Sequence, residues 1–226
     1  MLDRLLSSIA PHSCCGCGLT GQILCDLCKN DIISDPFSQC IDCLKPTVQS
    51  NLCAPCRARG CFDDAWCVGA RIDTLKSLLE TYKFSAARGA HEVCAELLLS
   101  QLPMLPDSSV IIPVATAPAH QRVRGFGHME LIARRLAQQR GLSFSYVLHR
   151  TNNETQHFKS RKDRLGLSPE SFGVAGHVPG VVLLVDDIYT TGATLRACAQ
   201  VLRNHGAKQV FVAIIARQIL DEGNDL

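Results

Sequence analysis

The sequence has no uninterrupted apolar run approaching the roughly 18 residues of a membrane-spanning helix, so no such span is expected. It also lacks a charge excess. With 23 Lys and Arg against 21 Asp and Glu, the net +2 selects no polyanionic partner by itself. Charged residues make up only 19% of the chain and apolar ones 46%, so a packed core is feasible and wholesale disorder is excluded. The stretch before Cys14 is short and carries Asp3 and Arg4, unlike the basic-then-apolar order of a secretory signal. Pro11-His12-Ser13 makes a poor lipoprotein cleavage site. A soluble, cytoplasmic protein is expected. At 226 residues and 24.6 kDa, the chain suits one ordinary domain with a small appended module.

Cysteine is the residue in excess. There are 13, and 11 of them lie within the first 67 residues. Four pairs have the Cys-x-x-Cys form: Cys14/Cys17, Cys25/Cys28, Cys40/Cys43 and Cys53/Cys56, with intervals of 7, 11 and 9 residues between pairs. Each such turn points two thiolates at one ion, and two turns complete a tetrahedral sulfur shell. Pairing in chain order gives one site from Cys14, Cys17, Cys25 and Cys28 and a second from Cys40, Cys43, Cys53 and Cys56. An interleaved pairing satisfies the same spacing. An odd cysteine count without an export signal argues against a disulfide framework. Evenly paired knuckles fit zinc ribbons better than iron–sulfur motifs. The spare Cys15, Cys61 and Cys67 are expected to be small buried residues. Residues 1–67 carry 5 basic and 7 acidic residues and few apolar stretches, so two structural zinc ions would take the place of a core there. On this reading, metal loss would unfold residues 1–60 and spare much of the α/β part of the chain.

The composition changes near Ala65, which predicts a zinc-ribbon module over 1–64 and an α/β domain over 65–226. Ala65–Arg71 reads as a strand. Two helical stretches come next, one marked by Leu75, Leu78, Leu79 and Tyr82 and the other by Val93, Leu97 and Leu98. Further strands are expected at Val110–Val114, near Tyr146–Leu148, at Val181–Val185 and at Val210–Ile215. Helices are expected near Gly127–Gln139 and Ala193–His205. Strands alternating with helices predict a mostly parallel sheet with right-handed crossovers. This half shows no internal repeat.

The most informative stretch is Val181-Val-Leu-Leu-Val-Asp-Asp-Ile-Tyr-Thr-Thr-Gly-Ala-Thr194. Its apolar strand ends at Asp186 and Asp187, at the carboxyl edge where open parallel sheets bind ligands. Thr190, Thr191, Gly192, Ala193 and Thr194 then lead into a helix. Backbone N–H groups at such a turn cradle a phosphate, and glycine lets the backbone approach it closely. A ribose 5-phosphate fits two acids beside such a cradle. The competing reading is an ordinary helix cap with two solvated aspartates.

This stretch resembles the phosphoribosyl-diphosphate (PRPP) signature of type I phosphoribosyltransferases. Pro113-Val114 followed by Arg122-Val-Arg-Gly-Phe126, and Glu154-Thr155-Gln156 followed by Ser160-Arg161 and Arg164, narrow the resemblance. With the cysteine-rich N-terminal part, these motifs are similar to the ComF family, which includes competence proteins and GntX proteins linked to the use of DNA as a nutrient. Gly127-His128 stands where that family usually has Asn-Gln, and Leu167 where it usually has Asn. The resemblance implies a type I phosphoribosyltransferase-like fold behind the zinc ribbons. It also implies that Asp186 and Asp187 receive the ribose hydroxyls, Thr190 to Thr194 hold the 5-phosphate, and Mg²⁺ accompanies the diphosphate. Arg122 and Arg124 in the loop after Val114, and Lys159, Arg161 and Arg164 in a mobile hood over Arg150–Arg164, become the basic donors. For each of these cations the plainer reading is a solvated surface charge or a basic linker.

Residues 120–164 hold 10 Lys and Arg against 3 acids, more positive charge than one diphosphate needs. Single-stranded DNA is therefore a second expected partner, although Phe126, Phe144, Tyr146 and Phe158 offer few stacking platforms. His120, His128, His149 and His157 are expected at the surface or in a polar pocket. Two functions are consistent with these features. One is a Mg²⁺-dependent, PRPP-using phosphoribosyltransferase-like protein of DNA uptake or nucleotide salvage, with proteins of the uptake machinery as partners. The other is a nucleic-acid-binding competence protein with PRPP as a regulatory ligand and no turnover.

Overall fold

The structure, a computed structural model, describes residues 12–84, 89–116, 126–151 and 169–219. Its first part is a tandem repeat. Ser13 bridges Thr20 and Gln39 bridges Pro46, each closing an antiparallel turn over a Cys-x-x-Cys knuckle. In both turns the amide after the knuckle bonds back to its first cysteine, Gly18 N–H to the Cys14 carbonyl and Leu44 N–H to the Cys40 carbonyl, at 2.9 Å each. That bend needs a left-handed residue. Gly18 supplies it freely at φ 77°, whereas Leu44 adopts φ 58° at a cost of about 1–2 kcal/mol. A short helix starts after the third cysteine of each set: α1 (Asp26–Ser34) after Cys25 and α2 (Ala54–Arg59) after Cys53.

Five strands then form one parallel sheet: β1 (Asp64–Ala70), β2 (Ser109–Pro113), β3 (Ser143–Phe144), β6 (Val181–Tyr189) and β7 (Gln209–Arg217). Their spatial order is β1-β7-β6-β2-β3. Among the described residues four helices join them: α3 (Asp73–Phe84), α4 (Ala90–Gln101), α5 (His128–Arg140) and α6 (Ala193–Asn204). A separate antiparallel pair, β4 (Leu148–Arg150) with β5 (Phe172–Val174), stands beside the sheet.

Alternation along the buried strands builds two cores. Ile111, Leu183, Val185, Ala213 and Ile215 face a cluster with α3, α4 and α5, and Cys14, Leu24 and Cys25 of the first ribbon belong to it. Ile112, Val182, Leu184, Val212 and Ile214 face the other side, with α6 and with Cys40, Ile41, Leu52 and Cys56 of the second ribbon. The cysteine-rich segment therefore clasps the sheet from both sides.

Two expected strands differ from those observed. The Tyr146–Leu148 strand resolves into two pieces: β3 pairs with β2, and the chain then leaves the sheet so that β4 can pair with β5. Strand β6 does not stop at Val185. Its pairing with β7 continues to Tyr189 opposite Arg217, whereas β2 accompanies it only to Pro113 opposite Val185. Beyond Val185, β6 keeps one neighbour among the described residues, and its other edge is open there. The connections leaving the two strands run to opposite sides, β2 to β3 and β6 to β7, which makes the β2/β6 boundary the topological switch point of an α/β sheet.

Candidate functional site

The open edge of β6 floors a cleft of about 270 Å³ between the residues that follow β2 (Val114, Ala115, Thr116), Lys83, His128, Arg150 and Thr194. Asp186 and Asp187 lie in it together. Successive strand residues point to opposite faces, so the two neighbours meet different surroundings.

Asp187 turns toward α3 and α5 and is 8% exposed. Lys83 Nζ lies 2.7 Å from its Oδ2, and His128 Nε2 donates to the same oxygen at 2.8 Å. The Tyr82 hydroxyl, beside Lys83, donates to the His128 carbonyl at 2.7 Å and pins the last turn of α3 to the start of α5. Burial opposes the charge on Asp187. The His128 hydrogen bond and the Lys83 ammonium outweigh it and hold the carboxyl below the usual carboxylate range.

Asp186 turns the other way. Among the described residues its hydrogen bond comes from the backbone N–H of Asp187, at 3.0 Å. Burial, reinforced by the charge of Asp187, pushes its carboxyl up to about 8, and Lys83 and Arg150 offset only part of this. One aspartate is thus fixed as an ion and already paired, while its neighbour holds a proton near neutrality. Arg150 donates through Nε to the Ala115 carbonyl at 3.2 Å and lies over the Phe172 ring, so β4 brings a cation to the cleft rim.

The loop from Thr190 to Gly192 joins β6 to α6. Thr190 and Thr191 are exposed, Gly192 is buried with φ 74°, and the first turn of α6, beginning Ala193-Thr194, contains no acidic residue. The left-handed turn and the helix start behind it present successive N–H groups, a cradle suited to an anion. Thr191 Oγ1 accepts from the Ala193 N–H at 3.4 Å and steadies the turn.

The thiols of Cys14, Cys17, Cys25 and Cys28 converge with all sulfurs within 4.8 Å of one another, and so do those of Cys40, Cys43, Cys53 and Cys56. Pairing is sequential, as in the chain-order reading. Backbone N–H groups of Gly16 and Cys25 point at the Cys14 sulfur at 3.4 and 3.3 Å, as suits a thiolate ligand. Both clusters can hold a zinc ion. Cys15, Cys61 and Cys67 lie outside them; Cys67 is buried and the other two are half-buried.

The structure brings Asp186, Asp187 and the Thr190–Thr194 loop to one cleft end. Arg122, Arg124, Lys159, Arg161 and Arg164 lie outside the described residues. Reading the sequence missed Lys83, whose only signal was a lysine at the end of an apolar helical stripe. Of the two places expected for the histidines, surface or polar pocket, His128 takes the pocket, where it is 5% exposed and bonded to Asp187.

The sequence profile of the phosphoribosyl transferase domain matches residues 124–225. Over most of its length the chain is similar to a competence protein, ComFC of Streptococcus pneumoniae, at 29% identity across 86% of this chain and 87% of that one. The chain is thus similar over most of its length to a protein named for competence, and its C-terminal part matches the phosphoribosyl transferase domain. Two further similar proteins extend the comparison. DNA utilization protein YhgH of Salmonella typhimurium is 27% identical over 89% of this chain and 100% of its own. Competence protein F of Haemophilus influenzae is 27% identical over 86% and 90%. The chain thus combines a parallel sheet, matched by the phosphoribosyl transferase domain over residues 124–225, with two N-terminal four-cysteine clusters compatible with zinc ribbons.

Proposed function

We propose that the cleft binds PRPP with Mg²⁺ and that the chain is a phosphoribosyltransferase-like protein of DNA uptake or nucleotide use. The observation that carries this reading is the placement of Asp186 and Asp187 on the open edge of β6, one short loop before an anion cradle at the start of a helix. A ligand with a phosphate at one end and hydroxyls at the other matches that order. Thr190, Thr191, Gly192, Ala193 and Thr194 take the 5-phosphate. Asp187, oriented by Lys83 and His128, faces the ribose as a fixed negative charge that favours positive charge developing at the ribose carbon. Asp186 is the carboxylate open to Mg²⁺, which when bound neutralises the diphosphate. Arg122, Arg124, Lys159, Arg161 and Arg164 are the further diphosphate donors. The eight paired cysteines hold two zinc ions, structural because every coordination position is taken by a thiolate. We place the boundary between this module, 1–64, and the PRPP-binding domain, 65–226, at the start of β1.

A second reading is favoured by the local excess of basic residues over 120–164, and by relatives named for competence and DNA utilization. In it the basic reach binds single-stranded DNA and PRPP acts as a regulatory ligand. Calorimetric titration of PRPP with Mg²⁺ tests the first. Wild type should bind, and Asp186→Asn and Asp187→Asn should each weaken binding about tenfold or more. No binding by wild type, or equal binding by both variants, refutes the site. Replacing Lys159, Arg161 and Arg164 together separates the readings. Loss of PRPP affinity alone supports the diphosphate role. A DNA salt slope flattened by about 0.7 for each lost phosphate contact supports the nucleic-acid role.

The raised Asp186 carboxyl gives the first reading a pH signature. A proton held up to about pH 8 must leave before the carboxylate can meet Mg²⁺. PRPP affinity should therefore rise from about pH 6 to about pH 8, with proton release visible as a heat that depends on the buffer. The Asp186→Asn variant should show a shallower rise and release less. An identical pH profile in wild type and variant would place the titrating group elsewhere.

A further inference from the structure

The two knuckles repeat one another in form, yet both inner residues differ, and the second of these differences matters here. Between Cys14 and Cys17 the residue preceding the second cysteine is Gly16, and between Cys40 and Cys43 it is Asp42. A side chain at position 16 would collide with the Cys28 sulfur, 2.6 Å from where its Cβ would stand. Asp42 instead reaches out of its knuckle to the far end of β6. Its Oδ1 accepts from the Tyr189 hydroxyl and, at 2.8 Å, from Arg196 Nη1. Arg196 Nη1 also meets the Tyr189 oxygen at 2.9 Å, and Nη2 donates to the Thr191 carbonyl inside the phosphate loop. The preceding residue in the knuckle is tied down as well, since the Ile41 carbonyl accepts from Arg217 Nε at 2.6 Å and Arg217 Nη1 donates to the Tyr189 carbonyl at 3.2 Å.

Tyr189 is 1% exposed, and its ring end fills the space where a side chain on Gly192 would go. The cradle thus rests on Tyr189 and Arg196, and both rest on Asp42. A carboxylate 23% exposed that accepts from two donors forms charge-assisted bonds stronger than a neutral pair would give. Its backbone lies within the loop of a metal knuckle, where an ion bound to Cys40 and Cys43 fixes the turn. The first ribbon has no counterpart, because Gly16 has no side chain to reach with.

We propose that Asp42 is a positioning residue for the phosphate loop, so that zinc in the second Cys₄ site, and not in the first, sets the geometry of the anion cradle. Where it concerns PRPP the inference rests on the function proposed above, but the loop geometry can be read without any ligand. Hydrogen exchange of the amides of residues 190–196 should be about tenfold faster in Asp42→Ala than in wild type, with two zinc ions per chain retained. Asp42→Asn keeps an oxygen that accepts from Tyr189 and Arg196 and should restore slow exchange to within about threefold. Cys43→Ser, which empties the second site, should match Asp42→Ala in this loop, and Cys17→Ser should leave the loop at wild-type rates. In the PRPP titration, Asp42→Ala should bind about tenfold more weakly. Unchanged exchange in Asp42→Ala with its zinc in place overturns the proposal, as does equal loosening by Cys17→Ser and Cys43→Ser. Failure of wild type to bind PRPP would overturn the ligand and leave the exchange result to decide the coupling. Should the cysteine variants fail to fold, Asp42→Ala against Asp42→Asn decides it alone.

Discussion

Stripping zinc with a strong chelator should unfold much more than the cysteine-rich segment. Cys14, Leu24 and Cys25 sit in the core beneath α3, α4 and α5, and Cys40, Ile41, Leu52 and Cys56 sit in the core on the α6 side. A structural zinc site contributes about 10–16 kcal/mol to folding, as much as the whole net stability of an ordinary domain. Losing two such sites would open both faces of the sheet, so the main thermal transition should fall by about 15 °C or more. Elemental analysis should find two zinc ions per chain, and Cys14→Ser and Cys40→Ser should each lose one. Iron with visible absorption would refute the zinc assignment. An unchanged transition in demonstrably metal-free protein would show that the sheet does not depend on the ribbons.

The second large effect is expected at Gly192. Its φ of 74° is one that valine avoids, and a Cβ there would stand 2.1 Å from the Tyr189 hydroxyl oxygen and 2.3 Å from the ring carbon bearing it. Tyr189 is held by Asp42 and Arg196 and has nowhere to retreat. Gly192→Val must therefore distort the turn, and PRPP affinity should drop about a hundredfold. Gly192→Ala meets the same collision with less bulk and should fall between wild type and the valine variant. Affinity within about threefold of wild type in the valine variant would remove this loop from the binding site. Circular dichroism with an intact thermal transition would confirm that the loss is local.

Much of this architecture was legible in the chain because its signals are local. Cys-x-x-Cys pairs need no tertiary context to be seen, and buried parallel strands such as Val181–Val185 read as continuous apolar runs. The roles inside the cleft were less legible. Asp186 and Asp187 are adjacent in sequence, but the strand's alternation gives them different partners, and a strand's end cannot be read where one neighbour stops before the other. Lys83 and His128 are 45 residues apart in the chain and meet only through the packing of α3 on α5. Asp42 was hidden more deeply still. Between two metal ligands an aspartate reads as a solvated loop charge, and its partners Tyr189 and Arg196 are 147 and 154 residues away.

The pairing of β1 has a consequence for how the chain is made. Among the described residues β1 has one neighbour in the sheet, β7, with Ala65 opposite Val212, so the first of these five strands to be made waits for the last. The ribbons can take up metal as they emerge from the ribosome. Leu24, Ile41 and Leu52 are buried in the finished cores, and β7 starts only at Gln209, more than 150 residues after the last of them. Long-range closure of this kind folds slowly and leaves apolar surface exposed in the interim. Ribbons holding zinc would present the arriving sheet with two preformed surfaces in place of a loose chain.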